Sequence, residues 1–465
     1  MRALLILFLA ALLLHGTSTS GRAGYAGDRT LSQTAATTPT PPPAPCVGDC
    51  NGNGLVTVDE LVTAINIALG AATSADCPAY AGDGPVTIDR LIAAVNAALR
   101  GCPEAPARFP IGAYFWPDHA YEQTGSALAD LDDFGINTVV AYYEYVKPDV
   151  PPFSGQPDCR GLVAEARASG IDFFIGSPQG RQVRFLDDAT LTAQLQATVA
   201  CVGSSPHYRG WMFDEPELTG YTPALLERVI GILRALDPDR RVWVNFNPYA
   251  TDDQLRSFGA LADILGFDVY PIRDGYGLRA MSLSTVGAHA ERAQRAAPAA
   301  AAVWMIVQAF GYSDLDEGTQ GRRPTPEELR FMVYDALLHG ARGVVFFGSH
   351  QLRNTIPLDA PVWDVGVRTI ARELKRIGTV LLDGEPIGDI TSQPASLAVR
   401  GLRTADTELL VTANPAPTSV TGRIRFGAGI TDAYEIFDGR HPMVSQNSVQ
   451  DDFPPYAVHV YRITR

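Results

Sequence analysis

The sequence predicts a multidomain chain centred on an α/β (β/α)₈ TIM barrel, with a small all-α module before it and an all-β sandwich domain after it. Three observations predict this. Between residues 108 and 382, eight short apolar segments alternate with segments of helical periodicity, as a closed parallel sheet wrapped in helices requires. Residues 46–103 hold one loop-plus-helix pattern twice. From residue 386 to 465 the pattern turns to short, partly alternating strands separated by turn residues.

The chain has 465 residues, 46% hydrophobic and 19% charged, which is globular composition in more than one domain. Its formal net charge of −14 leaves no basic field for nucleic acid or an anionic membrane. Residues 1–20 read as a signal peptide: Arg2, an apolar run from Leu4 to Leu14, then small residues through Ser20. That run is shorter than the roughly 20 residues a bilayer requires, so the expectation is a secreted protein with no membrane segment after signal cleavage. Residues 21–45 are rich in Thr, Ala and Pro and read as an extended linker.

In the duplicated module, Val56-Thr-Val-Asp-Glu-Leu aligns with Val86-Thr-Ile-Asp-Arg-Leu. The first loop sets Asp49, Asn51 and Asn53 at alternate positions, Gly54 at the turn, Leu55 for its carbonyl and Glu60 at position twelve. That is the oxygen-ligand spacing of an EF-hand-type calcium loop. In the second copy Ala79 and Ala81 replace ligands, Pro85 follows the turn glycine and Arg90 replaces the twelfth acid, so one structural Ca²⁺ is expected and not two. Over these residues the chain resembles a dockerin, which implies a cohesin-type scaffold protein as partner. Cys46, Cys50, Cys77 and Cys102 bracket the repeats without a histidine among them and are expected as disulfides, with three pairings open.

The barrel strands are expected at 109–116, 136–143, 171–178, 208–216, 242–248, 264–272, 302–310 and 343–350. Functional side chains of such a barrel collect at the C-terminal strand ends. Strand four, Tyr208-Arg-Gly-Trp-Met-Phe-Asp214-Glu215-Pro216-Glu217, runs apolar and stops at adjacent carboxylates. Pro216 ends the strand and biases Glu215 toward extended geometry. Glu215 is the candidate catalytic acid, with Asp214 beside it and Asp268 on strand six as a candidate second carboxylate. Trp116, Tyr142, Tyr143, Glu144, Asn245, Asn247, Tyr270, Gln308 and His350 complete the strand ends as candidate substrate-binding residues. Aromatic faces beside carboxylates and amides suit a sugar ring, whose C–H face stacks while its hydroxyls take fixed hydrogen bonds. Taken singly, each has a packing or capping explanation, and Glu217 is expected to be solvated. Neither His119 nor His350 has the companions of a zinc site. Cys159 and Cys201, at the start of one predicted helix and the end of the next, are placed at opposite ends of the barrel and are not expected to pair.

The Asp214-Glu215-Pro216 strand end, Gly266-Phe-Asp-Val-Tyr-Pro271, Val307-Gln-Ala-Phe310 and Gly340-Ala-Arg-Gly-Val-Val-Phe-Phe347 resemble glycoside hydrolase barrels of the broad retaining clan. The resemblance implies hydrolysis of O-glycosidic bonds in a poly- or oligosaccharide, with Glu215 as general acid/base and no cofactor for catalysis. In that clan an Asn precedes the acid and a Glu nucleophile closes strand seven. Here Asp214 precedes it and Gln308 stands at the nucleophile position. The adjacent pair also resembles hexosaminidases in which the acid protonates the leaving oxygen and its Asp neighbour orients the substrate's own 2-acetamido group. Two alternatives therefore stand beside an ordinary glycosidase: a substrate-assisted N-acetylhexosaminidase and a non-catalytic glycan-binding barrel. The C-terminal strands carry no catalytic cluster and read as structural.

Overall fold

A computed structural model describes residues 46–50, 56–73, 76–77, 79, 86–100, 108–115, 127–143, 159–203, 205–273, 281–296, 301–314, 321–349 and 362–465. Eight parallel strands close into a barrel in sequence order: β1 Ile111–Phe115, β2 Thr138–Ala141, β3 Asp172–Gly176, β4 Tyr208–Asp214, β5 Arg241–Phe246, β6 Ile264–Val269, β7 Ala302–Gln308 and β8 Gly343–Phe347. β1 pairs with β8 through Ile111↔Val344, which seals the sheet. The strands are apolar throughout because both faces are covered, one by helices and one by the barrel's own interior.

Period-two alternation sorts the strand residues between those faces. Trp211 and Phe213 face the helices, whereas Met212, Trp243, Phe174 and Trp304 fill the interior. Phe174, Trp243 and Trp304 meet edge to face, with centroids 5.2–5.6 Å apart, and plug the barrel. Two glycines make room for them. A Cβ on Gly343 would lie 2.8 Å from the Trp304 ring, and one on Gly266 would lie 3.1 Å from the Trp243 indole nitrogen and 2.5 Å from the Trp304 carbonyl. The helix Pro326–Leu338 shows how local sequence sets an outer element. Thr325 and Glu328 form a capping box, Pro326 takes the first turn, and Gly340 follows with φ +93°.

The C-terminal domain is a sandwich of two antiparallel sheets. Its strands are β9 Glu385–Ile387, β10 Ile390–Gln393, β11 Ala398–Arg403, β12 Glu408–Ala413, β13 Val420–Phe426, β14 Asp432–Glu435, β15 Met443–Ser445, β16 Ser448–Phe453 and β17 Val458–Thr464. One sheet has the order β10-β13-β16-β15 and the other β14-β17-β12-β11-β9, and Leu410, Ile424, Phe426, Val449, Phe453 and Tyr461 fill the space between. Arg330 ties this domain to the barrel. It meets Glu373 at 2.9 Å on the neighbouring helix and donates to the Val458 carbonyl of β17 at 2.6 Å.

Within 46–100, helices Val58–Ala68 and Ile88–Arg100 bury Ala64 and Ala94 with Cys77, at equivalent positions of the repeat. Cys50 pairs with Cys77, which selects among the three connectivities left open by the sequence. Cys159 and Cys201 are also bonded, with Cα atoms 6.2 Å apart, against expectation. The first turn of the helix Cys159–Ser169 and the last turn of the helix Asp188–Val202 therefore lie side by side, not at opposite ends of the barrel.

Candidate active site

Three interior-facing polar residues top the barrel where its apolar filling stops. Asp214 ends β4, Asn245 lies opposite it on β5 in the Asp214↔Asn245 register, and Asp268 follows Gly266 by two residues on β6. Parity with Met212, Trp243 and Ile264 turns all three inward. Asp214 and Asp268 are partly exposed while the strand residues beneath them are buried, so the barrel opens at this level. The Asn245 amide donates to both, 3.0 Å to Asp214 Oδ1 and 3.4 Å to Asp268 Oδ1. One nitrogen therefore holds two carboxylates from different strands close together.

Glu215 is held in an unusual backbone state. It was expected to be extended, yet it lies in the left-handed region at φ 42° and ψ 56°. Its N–H continues the β4–β5 ladder to the Asn245 carbonyl at 2.9 Å, while its own carbonyl accepts from Leu218 and Thr219 of the turn Pro216–Thr219. It must leave a strand and cap a helical turn in one residue, and this outweighs the extended bias from Pro216. A non-glycine residue in this region costs on the order of 1–2 kcal/mol, strain of the kind that collects at functional sites.

Electrostatics separates the acids. Burial raises the Asp214 pKa to about 6, opposed by hydrogen bonds from Asn245 and Tyr114. Burial, then the charges of Asp214 and Glu217, raise Glu215 to about 8. Asp268 is pushed well above the usual carboxylate range by burial, then by Glu215 and Asp214. Glu217, expected to be solvated, is turned inward. Its Oε1 accepts the Asn247 N–H at 3.0 Å, its Oε2 is buried without a hydrogen-bond partner, and burial raises it to about 7. Among the described residues no arginine, lysine or histidine is a main influence on these four acids. Near neutral pH the cluster therefore retains protons, with Asp214 the most readily ionised of the three whose values are fixed.

Aromatic rings line the same level. Tyr114 packs on Tyr142 at 5.5 Å and edge-on to Phe347 at 5.2 Å, and Tyr270 lies 5.5 Å from Phe347 and 5.1 Å from Phe310. Tyr142 and Tyr270 are thus at the mouth. Tyr143 is not, because it faces outward onto Trp211 in the core beneath the helices. Gln308 is fully buried and committed: its Oε1 accepts Ile272 N–H at 2.9 Å, and its Nε2 donates to the Ile272 and Phe310 carbonyls. It fastens the loop after β6. Asn247 is likewise a fastener, with its N–H on Glu217 and its Oδ1 accepting Tyr249 N–H at 2.7 Å. Trp116, Glu144 and His350 lie outside the described residues. Tyr114, Glu217 and Phe347 were not selected from sequence. The two aromatics share the interior parity of their strands, which is the signal that could have found them.

In the helical module, Glu60 reaches back along the chain. Its Oε1 accepts Cys50 N–H at 2.9 Å and its Oε2 accepts from the Thr57 backbone and hydroxyl, so the end of the loop is drawn to its beginning. Asp49 is buried beside it, and Asn51, Asn53 and Leu55 lie outside the described residues. Among the described residues no group of three or more His, Cys, Asp or Glu side chains is arranged to hold a metal ion.

No protein-family description matches the chain, and no curated protein matches its sequence. Solved structures do resemble it. A maltogenic α-amylase from Thermotoga neapolitana gives a TM-score of 0.52 at 13% identity, covering 77% of this chain and 99% of that one. A GH27 β-L-arabinopyranosidase from Geobacillus stearothermophilus, in complex with arabinose, gives 0.54 at 12%, covering 77% and 97%. An α-amylase from Geobacillus thermoleovorans, in complex with acarbose, gives 0.54 at 9%, covering 77% and 98%. The chain has the (β/α)₈ fold on which these glycoside hydrolases are built.

Proposed function

We propose that the protein is a secreted glycoside hydrolase that cleaves O-glycosidic bonds of a poly- or oligosaccharide, with Glu215 as proton donor, Asp214 supplying negative charge and Asp268 held beside it by Asn245. One observation carries this reading. Acids from two strand ends converge on the Asn245 amide inside an aromatic mouth. Burial there keeps Glu215 protonated at neutral pH, as a group that must protonate a leaving oxygen requires. Asp214, the more readily ionised acid, is suited to face the positive charge that develops on the sugar ring. The resemblance of the fold to glycoside hydrolases supports the same class. The test is reducing-sugar release from a panel of natural and aryl glycosides by wild type and Glu215→Gln. A glycan-binding barrel would release none with either.

Glu217 supplies a check through pH. Glu215 acts as an acid only while protonated, and the Glu217 charge is one of the influences that raise its pKa. Glu217→Gln removes that charge, so the Glu215 pKa falls and the alkaline limb of the kcat/KM profile moves to lower pH. An alkaline limb that stays in place excludes this coupling.

For the helical module, the reading is a dockerin-like unit that takes one Ca²⁺ and docks a cohesin-type protein. Two features support it. The Glu60–Cys50 contact closes the loop end to end, as ligands one and twelve of a calcium loop must be closed. The two helices also expose matching apolar stripes, Val58, Val62, Ile65 and Leu69 on one and Ile88, Ile92, Val95 and Leu99 on the other. Asp49, Asn51, Asn53, the Leu55 carbonyl and Glu60 would hold the ion, with Glu60 giving up its Thr57 contacts. Calorimetry on the full chain should find about one equivalent of Ca²⁺, abolished by Glu60→Gln. Two equivalents, or binding that survives the substitution, would contradict this assignment.

A further inference from the structure

We propose that the loops after β3, β4 and β5 form an outer subsite in which the ring of Tyr249 stacks a pyranose of the substrate chain beyond the bond being cleaved. The proposal rests on the glycosidase reading and extends it to residues outside the acid cluster. Its first support is where the barrel exposes large apolar side chains. Among the described barrel residues these are Phe185 at 79%, Leu218 at 53%, Tyr249 at 63% and Val365 at 54%. The first three sit on consecutive loops, after β3, β4 and β5, at the strand ends that carry Asp214 and Glu215. Exposed apolar groups on neighbouring loops at the same strand ends mark a binding surface more than scattered ones do.

The second support is that Tyr249 is fixed. Its N–H is taken by Asn247 Oδ1 at 2.7 Å, and its hydroxyl accepts from Arg273 Nη1 at 2.5 Å. Arg273 is only 4% exposed and is itself fastened by donation to the Tyr270 carbonyl at 2.7 Å. A surface tyrosine ordinarily leaves its hydroxyl to water and its ring free to turn. Here both ends are tied while the ring stays open to solvent, so a sugar would meet a platform whose ordering cost is already met. Phe185 is less available, since the Arg184 guanidinium lies 4.4 Å over its ring, whereas the Arg273 guanidinium bonded to the Tyr249 hydroxyl stands 5.7 Å from that ring's centroid. The two fastenings lead directly to the mouth: Asn247 also holds Glu217, and Tyr270 lines the aromatic wall.

The chemistry of the ligand follows from the ring: a tyrosine face takes the C–H face of a pyranose. The bland alternative is that Tyr249 merely braces Arg273 through its hydroxyl. Two substitutions separate these. Tyr249→Phe keeps the ring and loses the brace, and Tyr249→Ala loses both.

The experiment measures KM and kcat for wild type and both variants on malto-, cello-, xylo- and chito-oligosaccharides of increasing length and on aryl monoglycosides, with melting temperatures to confirm folding. On whichever series wild type cleaves, Tyr249→Ala should raise KM about tenfold on the longer members and progressively less on shorter ones, a loss in the range of one aromatic contact. Tyr249→Phe should stay within about twofold of wild type. Equal losses in the two variants, or a loss independent of chain length, would overturn the subsite and leave the glycosidase reading standing. If wild type cleaves nothing in the panel, the glycosidase reading falls and the subsite with it.

Discussion

Replacing Glu215 by Gln should lower kcat on oligosaccharides by roughly 10²-fold or more while substrate binding survives. The amide keeps the size and hydrogen-bonding outline of the acid but cannot release a proton to the departing oxygen. The dependence on leaving group sharpens the test. A sugar alcohol leaves poorly without a proton, whereas a nitrophenolate leaves readily without one, so the variant should recover much of its activity on nitrophenyl glycosides. Asp268 is the competing acid, because burial and its acidic neighbours also hold it protonated. Asp268→Asn should therefore be run beside Glu215→Gln. If it is Asp268→Asn that spares activated substrates, the proton donor is Asp268 and the role given to Glu215 is wrong. If wild type and Glu215→Gln are equally active on every glycoside cleaved, Glu215 is no catalytic group.

Why some of this was legible and some was not follows from which interactions are local. The barrel could be read because a parallel strand buried on both faces is an unbroken apolar run, and eight of them with helices between leave few architectures. The inward placement of Asp214, Asn245 and Asp268 was equally readable, since a polar residue that ends such a run has the opening as its only outlet. Alternation should also have separated Tyr142 from Tyr143, because adjacent residues cannot both face the interior. The structure sends Tyr143 onto Trp211. Gln308 could not be judged from its strand. Two of its three hydrogen bonds go to Ile272 in the loop after β6, which β7 meets only in the folded barrel. Glu217 was misread for a similar reason: the left-handed turn at Glu215 folds the helix Pro216–Thr219 back beneath Asn247, and nothing adjacent to Pro216 announces it. In the C-terminal domain β16, Ser448-Val-Gln-Asp-Asp-Phe453, looks too acidic for a strand. Its Asp451 is matched by Arg440 at 2.6 Å and accepts from the Tyr461 hydroxyl on β17 of the facing sheet at 2.6 Å, contacts that only the folded domain supplies.

Asp214→Asn decides where the negative charge of the reaction comes from, and it should slow cleavage by roughly 10³-fold or more. Gln308 cannot supply that charge. An amide forms no glycosyl ester, and all its polar atoms are already engaged with the Ile272 and Phe310 backbone. What remains is Asp214, Asp268 or a group on the substrate. In a substrate-assisted reaction Asp214 only orients a 2-acetamido group. N-acetylhexosaminides would then be the sole good substrates, and plain 2-hydroxy glycosides would be ignored by wild type. In a two-carboxylate reaction Asp214 meets the sugar itself, so plain glycosides are cleaved and the Asn variant loses them. The structure favours the second outcome. Asn245 holds Asp214 and Asp268 together as a pair, and the rings of Tyr142, Tyr270 and Phe347 at the mouth suit stacking a pyranose of either kind. The measurement is kcat/KM for wild type and Asp214→Asn on matched pairs of aryl glycosides that differ only at C2. A strong wild-type preference for the acetamido member, lost in the variant, would establish substrate assistance. Good turnover of the hydroxyl member, lost in the variant, would place the charge on Asp214.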